Sequence, residues 1–385
     1  PFRTVKGWQC LDALAVGTAI ALPRMYAPLQ ANTSFTNDEA ILLAHLIGDG
    51  CVLPRQPIHY TSADPTNIAI VAETAQRLFK IAPRTVRQEN WFHTYLPSPY
   101  RLTHGKHHPI INWFARLGLM PVRSYEKVLP QALFQSDTDK IRLFLHHLWA
   151  TDGNLSWKRL KGRKPAAAIY YATTSSVLAG QVQHLLLRLG IASTVRIIPQ
   201  KKGERTYRSL HNVFVEGSIA QLRFCELVGS YGSRGKNIST IINALRLIES
   251  NPNADVIPKE AWHTWIAGEK ATADIGWREL SMRINTVYCG STLFKSGLSR
   301  MRMTRVAEAL RSRPLLRIAQ SDVYWDEIVS ITPLGTEEVF DATVPGTHNF
   351  IANDFIVHNS IEQDADVVMF IYREDKAKEN SDKKN

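Results

Sequence analysis

The chain has 385 residues, 44% hydrophobic and 21% charged, the proportions of a soluble, well-cored protein long enough for two or three domains. Its 46 Lys and Arg against 35 Asp and Glu give a net charge of +11, which favours a polyanion such as nucleic acid as partner, with a merely basic surface as the alternative. No apolar run is long enough to cross a bilayer, nothing near Pro1 resembles a signal peptide, and Cys10, Cys51, Cys225 and Cys289 show no CxxC spacing, so membrane, secreted and zinc-ribbon classes are disfavoured and a reducing cytoplasm is expected.

In chain order, Phe2 to Pro23 alternates apolar and polar residues around Gly7 and Gly17, which predicts short strands joined by turns. Residues 31 to about 195 carry helix-length apolar patterns broken by Pro- and His-rich loops. From about 200 to 320 the chain stays basic, with helices predicted around Ser239–Glu249 and Met301–Arg311. Strand patterns return at Tyr324–Thr332, Glu338–Val344 and Phe350–Val357. Strands at both ends around a helical, basic middle predict one domain inserted in another. The tail from Ser360 holds one buried-looking strand, Val367–Tyr372, and then a charged run without core potential. Pro1 is not a natural start, so a processed chain or a fragment is expected.

Two segments share one design. Thr36-Asn-Asp-Glu39 leads into an apolar run ending Gly48-Asp49-Gly50, and Ser136-Asp-Thr-Asp139 leads into another ending Thr151-Asp152-Gly153. Each opens with an S/T-x-x-D/E capping-box signal, and each ends at a Gly expected to supply the positive φ of a helix C-cap. A carboxylate beside a helix C-terminus is disfavoured by the helix dipole, and two of them need a reason. Brought together, Asp49 and Asp152 would repel unless a divalent cation lay between them, and oxygen-only ligands suit magnesium in phosphodiester cleavage.

A second chemistry is written at Asp341-Ala-Thr-Val-Pro-Gly-Thr-His348 and Val357-His358-Asn359-Ser360. An Asn side-chain amide can attack its own main-chain carbonyl and cut the chain behind itself, given neighbouring histidines to polarise the carbonyl and protonate the leaving amine. Ser360, next in line, is a nucleophile able to accept an upstream acyl group as an ester.

Leu42–Gly50 and Leu145–Gly153 resemble the paired motifs of LAGLIDADG homing endonucleases. That resemblance implies packed motif helices whose Asp49 and Asp152 bind the catalytic metal. Lys127-Val-Leu-Pro130 is similar to the Lys-x-x-Pro element of intein-borne members. Its lysine has three open readings: steadying phosphate charge, activating water, or simply lying solvated on the surface. The third motif position is normally small; Ala44 complies and His147 departs. DNA contact is expected from strands after each motif helix, through Lys158–Lys164 and Arg196–Arg208. Arg278–Arg313 is either an accessory helical DNA-binding region or a plain basic surface.

The stretch from Asp341 to Ser360 resembles intein C-terminal splicing motifs. By position, Asn359 cyclises, His358 and His348 assist, Asp341 is the motif's usual Asp, and Ser360 is the nucleophile. Pro1–Arg24 resembles the segment after an intein's Thr-x-x-His motif, so the first nucleophile is expected upstream. Ile361–Asp375 resembles the RecA-like core of the DnaB replicative helicase family, a likeness confined to the tail; no GxxxxGK[ST] loop occurs in the sequence.

The expected architecture is therefore an all-β, horseshoe-like Hint domain split by an α+β LAGLIDADG endonuclease with pseudo-twofold αββαββ halves. Its expected parts are 1–30 and 321–359 (splicing domain), 31–195 (endonuclease core), 196–320 (endonuclease end and basic region) and 360–385 (host segment). The implied partners are magnesium, duplex DNA, a missing N-terminal segment and, for the complete host, ATP and a hexameric ring in a bacterial, nucleoid-associated setting. The competing readings are a non-cleaving LAGLIDADG DNA-binding protein and a free-standing homing endonuclease.

Overall fold

The computed structural model describes residues 1–27, 34–159, 165–203, 205–248, 255–336, 338, 340, 342 and 344–359. Asp341, Ser360 and the tail strand expected at Val367–Tyr372 lie outside the described residues, as do three of the seven residues of the strand expected at Glu338–Val344. The chain divides into two compact units, one of Pro1–Arg24 with the residues from Asn251 onward, the other of Met25–Ser250.

The first unit holds a curled antiparallel sheet made from both ends of the chain. Its order is Val323–Glu327, Ala19–Pro23, Phe2–Thr4, Phe355–His358, Asn349–Ala352, with Gly7–Gln9 also paired to Phe2–Thr4. Phe2 faces Val357, and Pro23 faces Val323, so residues far apart in sequence zip directly together. Leu14, Ile20 and Ile328 are buried beneath it with Phe2, Leu22 and Phe355 against them. Phe350–Val357, predicted as one strand, is instead a hairpin. Asn353 (φ 49°) and Asp354 (φ 67°) take the left-handed backbone of a two-residue turn between Ala352 and Phe355. Asn and Asp tolerate that conformation, and its twist matches the flanking strands. The strand predicted from Tyr324 runs Val323–Glu327 and ends as Ile328 turns into the core.

Residues 256–319 of this unit make a helical lobe with its own core of Trp262, Ile266, Leu280, Leu298, Met303 and Val306. The helix predicted around Met301–Arg311 is Arg300–Ala309, started by the Ser299 hydroxyl accepting from the Arg302 N–H.

The second unit contains the internal repeat. Its first half runs α1 (Asn37–Gly48), β1 (Gly50–Cys51), β2 (His59–Ser62), α2 (Pro65–Phe79), β3 (Arg84–Arg87), β4 (Phe92–Tyr95) and α3 (Pro109–Arg116). After a short α4 (Gln131–Phe134), the order recurs as α5 (Thr138–Asp152), β5 (Gly153–Lys158), β6 (Ala166–Thr173), α6 (Ser176–Arg188), β7 (Ser193–Lys202), β8 (Arg205–Val215) and α7 (Ser218–Leu227). The sheets have one topology, β1-β2-β4-β3 and β5-β6-β8-β7, which is the αββαββ half written twice. The predicted helix near Ser239 is α8 (Ile238–Arg246). The boundary expected at residue 195 falls inside β7, and the unit continues to Ser250.

Local chemistry sets the two motif helices. At α1 the capping box forms as the sequence predicts: Thr36 Oγ1 accepts from the Glu39 N–H at 3.2 Å, and Glu39 accepts from the Thr36 N–H at 2.8 Å. The same buried Glu39 also accepts from Trp113 Nε1, tying α3 to α1. At α5 the cap is one residue later than predicted: Asp137 accepts from the Lys140 N–H, while Ser136 Oγ donates to the Ala132 carbonyl. Nor do Gly50 and Gly153 provide positive φ. Gly153 is extended (φ −79°, ψ 154°), and Gly50 also opens a strand. They are glycine because the chain doubles back on its own helix. A Cβ at Gly50 would lie 2.5 Å from Leu46 Cα, and one at Gly153 would overlap Trp149.

The close crossing of α1 and α5 is at Gly48, where a Cβ would overlap the Thr151 side chain. Small-to-large changes in such a contact cost about 1–3 kcal/mol. Gly48→Ala should therefore lower the urea midpoint by a corresponding amount, and adding Thr151→Gly should recover most of it.

Candidate functional site

The carboxylates Asp49 and Asp152 stand at the same position of the two halves, each one residue past the crossing pair Gly48 and Thr151. Burial, then the charge of Asp152, pushes the Asp49 carboxyl up to about 7, and burial also raises Asp152. Two cations oppose this, Lys127 and Arg234. Asp49 also lines a cleft with Asp64, Asn67, Ser233, Arg234 and Lys236.

Lys127 is neither solvated nor aimed outward. Its ammonium donates to the carbonyls of Leu46 (3.2 Å), Ile47 (2.8 Å) and Gly48 (2.9 Å), in the last turn of α1, and of Gly50 (3.0 Å) at the start of β1. A positive charge at that end offsets the helix dipole that would otherwise disfavour Asp49. The lysine's own carbonyl accepts from Ser175 Oγ, the N-cap of α6, so one residue joins the two halves.

Arg234 is a residue that the motif reading missed. Its guanidinium donates to the Gly153 carbonyl and lies near both carboxylates. It sits in a 3-10 helix, Gly232–Asn237, within a glycine-rich stretch from Gly229 to Gly235 that fits closely: a Cβ at Gly232 would lie 2.6 Å from Asp64 Oδ2. Asp64 there accepts from the N–H groups of Thr66 and Ser233. The sequence signal was the glycine cluster around a single arginine.

His147, the residue that departs from the small-residue pattern, does not disrupt the helix pair. His45 Nε2 and His147 Nδ1 are 3.1 Å apart, and His45 Nδ1 lies 3.0 Å from the Tyr60 hydroxyl. The imidazole therefore fills the interface as half of a hydrogen-bonded pair. Burial drives His45 down to about 3 and His147 to about 2, so both are neutral. Depressed histidines contribute stability that is complete above the unfolded pKa near 6.5 and is lost as pH falls below it. Between pH 6.5 and 5 the loss is roughly 2 kcal/mol per histidine. Relative to a His45→Gln/His147→Gln variant, the wild type should lose urea resistance on acidification, read at pH 7.5 and 5.

Both sheets present polar, basic outer surfaces. On the first, His59 and His93 stack with ring centroids 5.0 Å apart, and Arg84 lies over Tyr95. On the second, Arg196 lies over Phe214 and Arg208 over Tyr125, with Lys201, Arg205 and Tyr207 exposed along the β7–β8 hairpin. Of the basic stretch Lys158–Lys164, residues 160–164 lie outside the described residues.

In the first unit, His358 Nδ1 is 2.9 Å from the main-chain oxygen of Asn359, the carbonyl of the Asn359–Ser360 bond. Trp8 packs edge-on to that imidazole at 5.0 Å. Asn359 is 92% buried and held on every side. Its N–H donates to the His348 carbonyl at 2.8 Å. With its amide oriented so that both atoms find partners, Nδ2 donates to the carbonyls of His348 (2.9 Å) and Ala342 (3.2 Å), and Oδ1 accepts from the Val344 N–H (3.1 Å). His348 adopts left-handed backbone (φ 52°), and its ring lies 6.2 Å from that of His358.

Residues 139–229, which include α5, both of its following strand pairs and α6, match the LAGLIDADG-like domain family. The chain carries a LAGLIDADG-like domain. Over 97% of its length it is 45% identical to the replicative DNA helicase DnaB of Rhodothermus marinus and 44% identical to that of a Nostoc species. It spans 39% and 42% of those proteins' lengths. The chain is also 26% identical to the RecA protein of Mycobacterium tuberculosis over 92% of its length. Among solved structures, the homing endonuclease I-DmoI is matched at 14% identity over 53% of this chain and 97% of that one, with a TM-score of 0.37.

The family match covers the second half of the repeat; the shared sheet order extends the LAGLIDADG-like α+β architecture to the first. Within it, the structure brings Asp49, Asp152 and Lys127 together as neighbours and adds Arg234. His348, His358 and Asn359 are brought together elsewhere, on the curled sheet. Asp341 and Ser360 lie outside the described residues.

Proposed function

We propose that the chain is an intein-bearing DnaB-type polypeptide, whose LAGLIDADG-like domain cuts duplex DNA with a divalent metal and whose curled sheet excises the insertion. The observation that carries the nuclease reading is the pair of carboxylates at matching ends of crossed helices, close enough that the charge of one raises the other. Nearly the whole chain is similar both to DnaB proteins and to a RecA protein, which supports an inserted element shared by hosts of different activity.

Among the described residues no third His, Cys, Asp or Glu completes a metal cluster. Two carboxylates alone fit magnesium, which binds through one or two carboxylates and leaves its other positions to water and phosphate oxygens. When bound, such an ion lowers the pKa of its water and stabilises the attacking and leaving oxygens. Asp49 and Asp152 would hold it, Lys127 would be a positioning residue that fixes the end of α1, and Arg234 would balance charge beside the cleft. The outer sheet surfaces supply phosphate contacts, which set register and make affinity salt-dependent. ATP hydrolysis and a hexameric ring belong to the complete host, in a bacterial cytoplasm.

Incubated with magnesium and duplex DNA spanning a DnaB gene that lacks the insertion, the chain should yield two fragments. Intact DNA that is nevertheless retained on the protein would favour a non-cleaving DNA-binding protein.

The second reading, splicing, rests on His358 Nδ1 against the Asn359 carbonyl. Nδ2 of Asn359 attacks that carbonyl carbon, the bond to Ser360 breaks, and the proton leaves Nδ2 for the departing amine, closing a succinimide. His358 polarises the carbonyl, and the bonds around Asn359 pre-orient the amide.

A further inference from the structure

Of the tryptophans in the unit that carries the carboxylates, Trp113 and Trp149 are buried and Trp157 packs against the core. Trp91 is 40% exposed, and it lines the same cleft as Asp49. A tight turn puts it there. Strands β3 and β4 stop pairing at Arg87 and Phe92, and the Gln88 N–H donates to the Trp91 carbonyl at 2.8 Å. Phe92 in turn faces Ser62 at the end of β2, just before Asp64 and Pro65, which also line the cleft. The repeat itself makes no demand for an indole at this point. In the second half the matching hairpin runs on to pair Lys202 with Arg205, with Gly203 (φ 61°) in its turn.

The cleft has a volume of about 620 Å³, a size that takes a group as large as one nucleotide. Arg234 and Lys236 supply two cations to its lining. Asp64 is engaged by the N–H groups of Thr66 and Ser233, which leaves those cations for phosphate.

We infer that this cleft takes one unstacked nucleobase of the bound duplex, lying on the Trp91 indole beside the phosphate that the carboxylate pair addresses. Every base offers a π-face, and an exposed indole covers it without regard to sequence. A basic surface alone would give phosphate contacts; the indole within the cleft is what calls for a base. Drawing one base out of the stack also loosens the backbone, which lets a phosphate come down to the carboxylates at the helix ends. The inference rests on the nuclease reading and adds to it the part of the substrate that the cleft holds.

The test is equilibrium binding by the full chain with metal chelated, so that the duplex stays whole. It uses the DnaB-gene duplex of the cleavage experiment and a set of duplexes with one abasic nucleotide at each position in turn across the insertion point. Wild type, Trp91→Ala and Trp91→Phe are compared, with thermal melts to confirm folding. On the intact duplex Trp91→Ala should bind about tenfold more weakly than wild type, and Trp91→Phe close to wild type. At one abasic position that difference should vanish, because the indole has no base left to cover. A difference that persists at every position, or none on the intact duplex, overturns the stacked base and leaves a DNA-directed chain. A free nucleoside monophosphate offers the same base and phosphate; if millimolar adenosine monophosphate displaces the duplex from wild type but not from Trp91→Ala, the cleft is a mononucleotide site and the duplex proposal falls. Wild type that binds this duplex no better than unrelated DNA overturns the DNA-directed reading as well.

Discussion

Asp49→Asn should cut DNA at least about a thousandfold more slowly than wild type while binding it as well, because losing a ligand removes several kcal/mol of charge stabilisation. The same change should make the protein harder to unfold near pH 8. Asp49 is raised to about 7 in the folded chain from an ordinary value of 3.8. A carboxyl raised in this way favours the folded state below its unfolded pKa, and that contribution is lost as pH rises through about 7. The penalty present at pH 8 is on the order of a few kcal/mol, reduced by whatever solvent reaches the cleft. Asn has no charge to bury, so it escapes the penalty. Magnesium or calcium should raise the melting temperature of wild type at pH 8 and leave that of Asp49→Asn/Asp152→Asn unchanged. Equal shifts in both proteins would place cation binding elsewhere. A trade of stability for function is the ordinary condition of such a site.

The carboxylate pair was legible in the sequence as two Asp-Gly helix ends, because carboxylates placed twice at the disfavoured end of a dipole call for a reason beyond a common turn. The caps and glycines were legible in kind but not in detail. Ser136 and Asp137 are both good N-caps, and the choice between them depends on Ser136 being drawn to Ala132 by the preceding short helix. Gly50 and Gly153 signalled a turn, whereas the crowding that requires them comes from Leu46 and Trp149 one turn back. Lys127 and Arg234 were harder. Lys127 acts from a loop and Arg234 from a short 3-10 helix, neither with a periodic apolar pattern, and what they touch, main-chain carbonyls where the motif helices end, leaves no mark on side-chain spacing. His147 looked like a defect because its partner His45 is 102 residues away and is itself a departure from an apolar position.

The junction makes the second large prediction. Asn359→Ala should abolish release of the segment beginning at Ser360, because no other side chain can reach that carbonyl with a nucleophilic nitrogen from within the same residue. Mass spectrometry of wild type should show the upstream product one water lighter than its free acid, the mark of a succinimide. His358→Ala should slow release by roughly a hundredfold, since the imidazole at 2.9 Å is what draws charge onto the scissile carbonyl. His348 separates two roles that the sequence could not. Its carbonyl anchors both nitrogens of Asn359, and its left-handed backbone is one that glycine adopts without strain. His348→Gly should therefore keep the anchor and remove only the ring, giving a smaller loss than His358→Ala. A loss as large as that of His358→Ala would mean that the His348 ring carries protons in the reaction. Release that persisted in Asn359→Ala would remove cyclisation from the chemistry altogether.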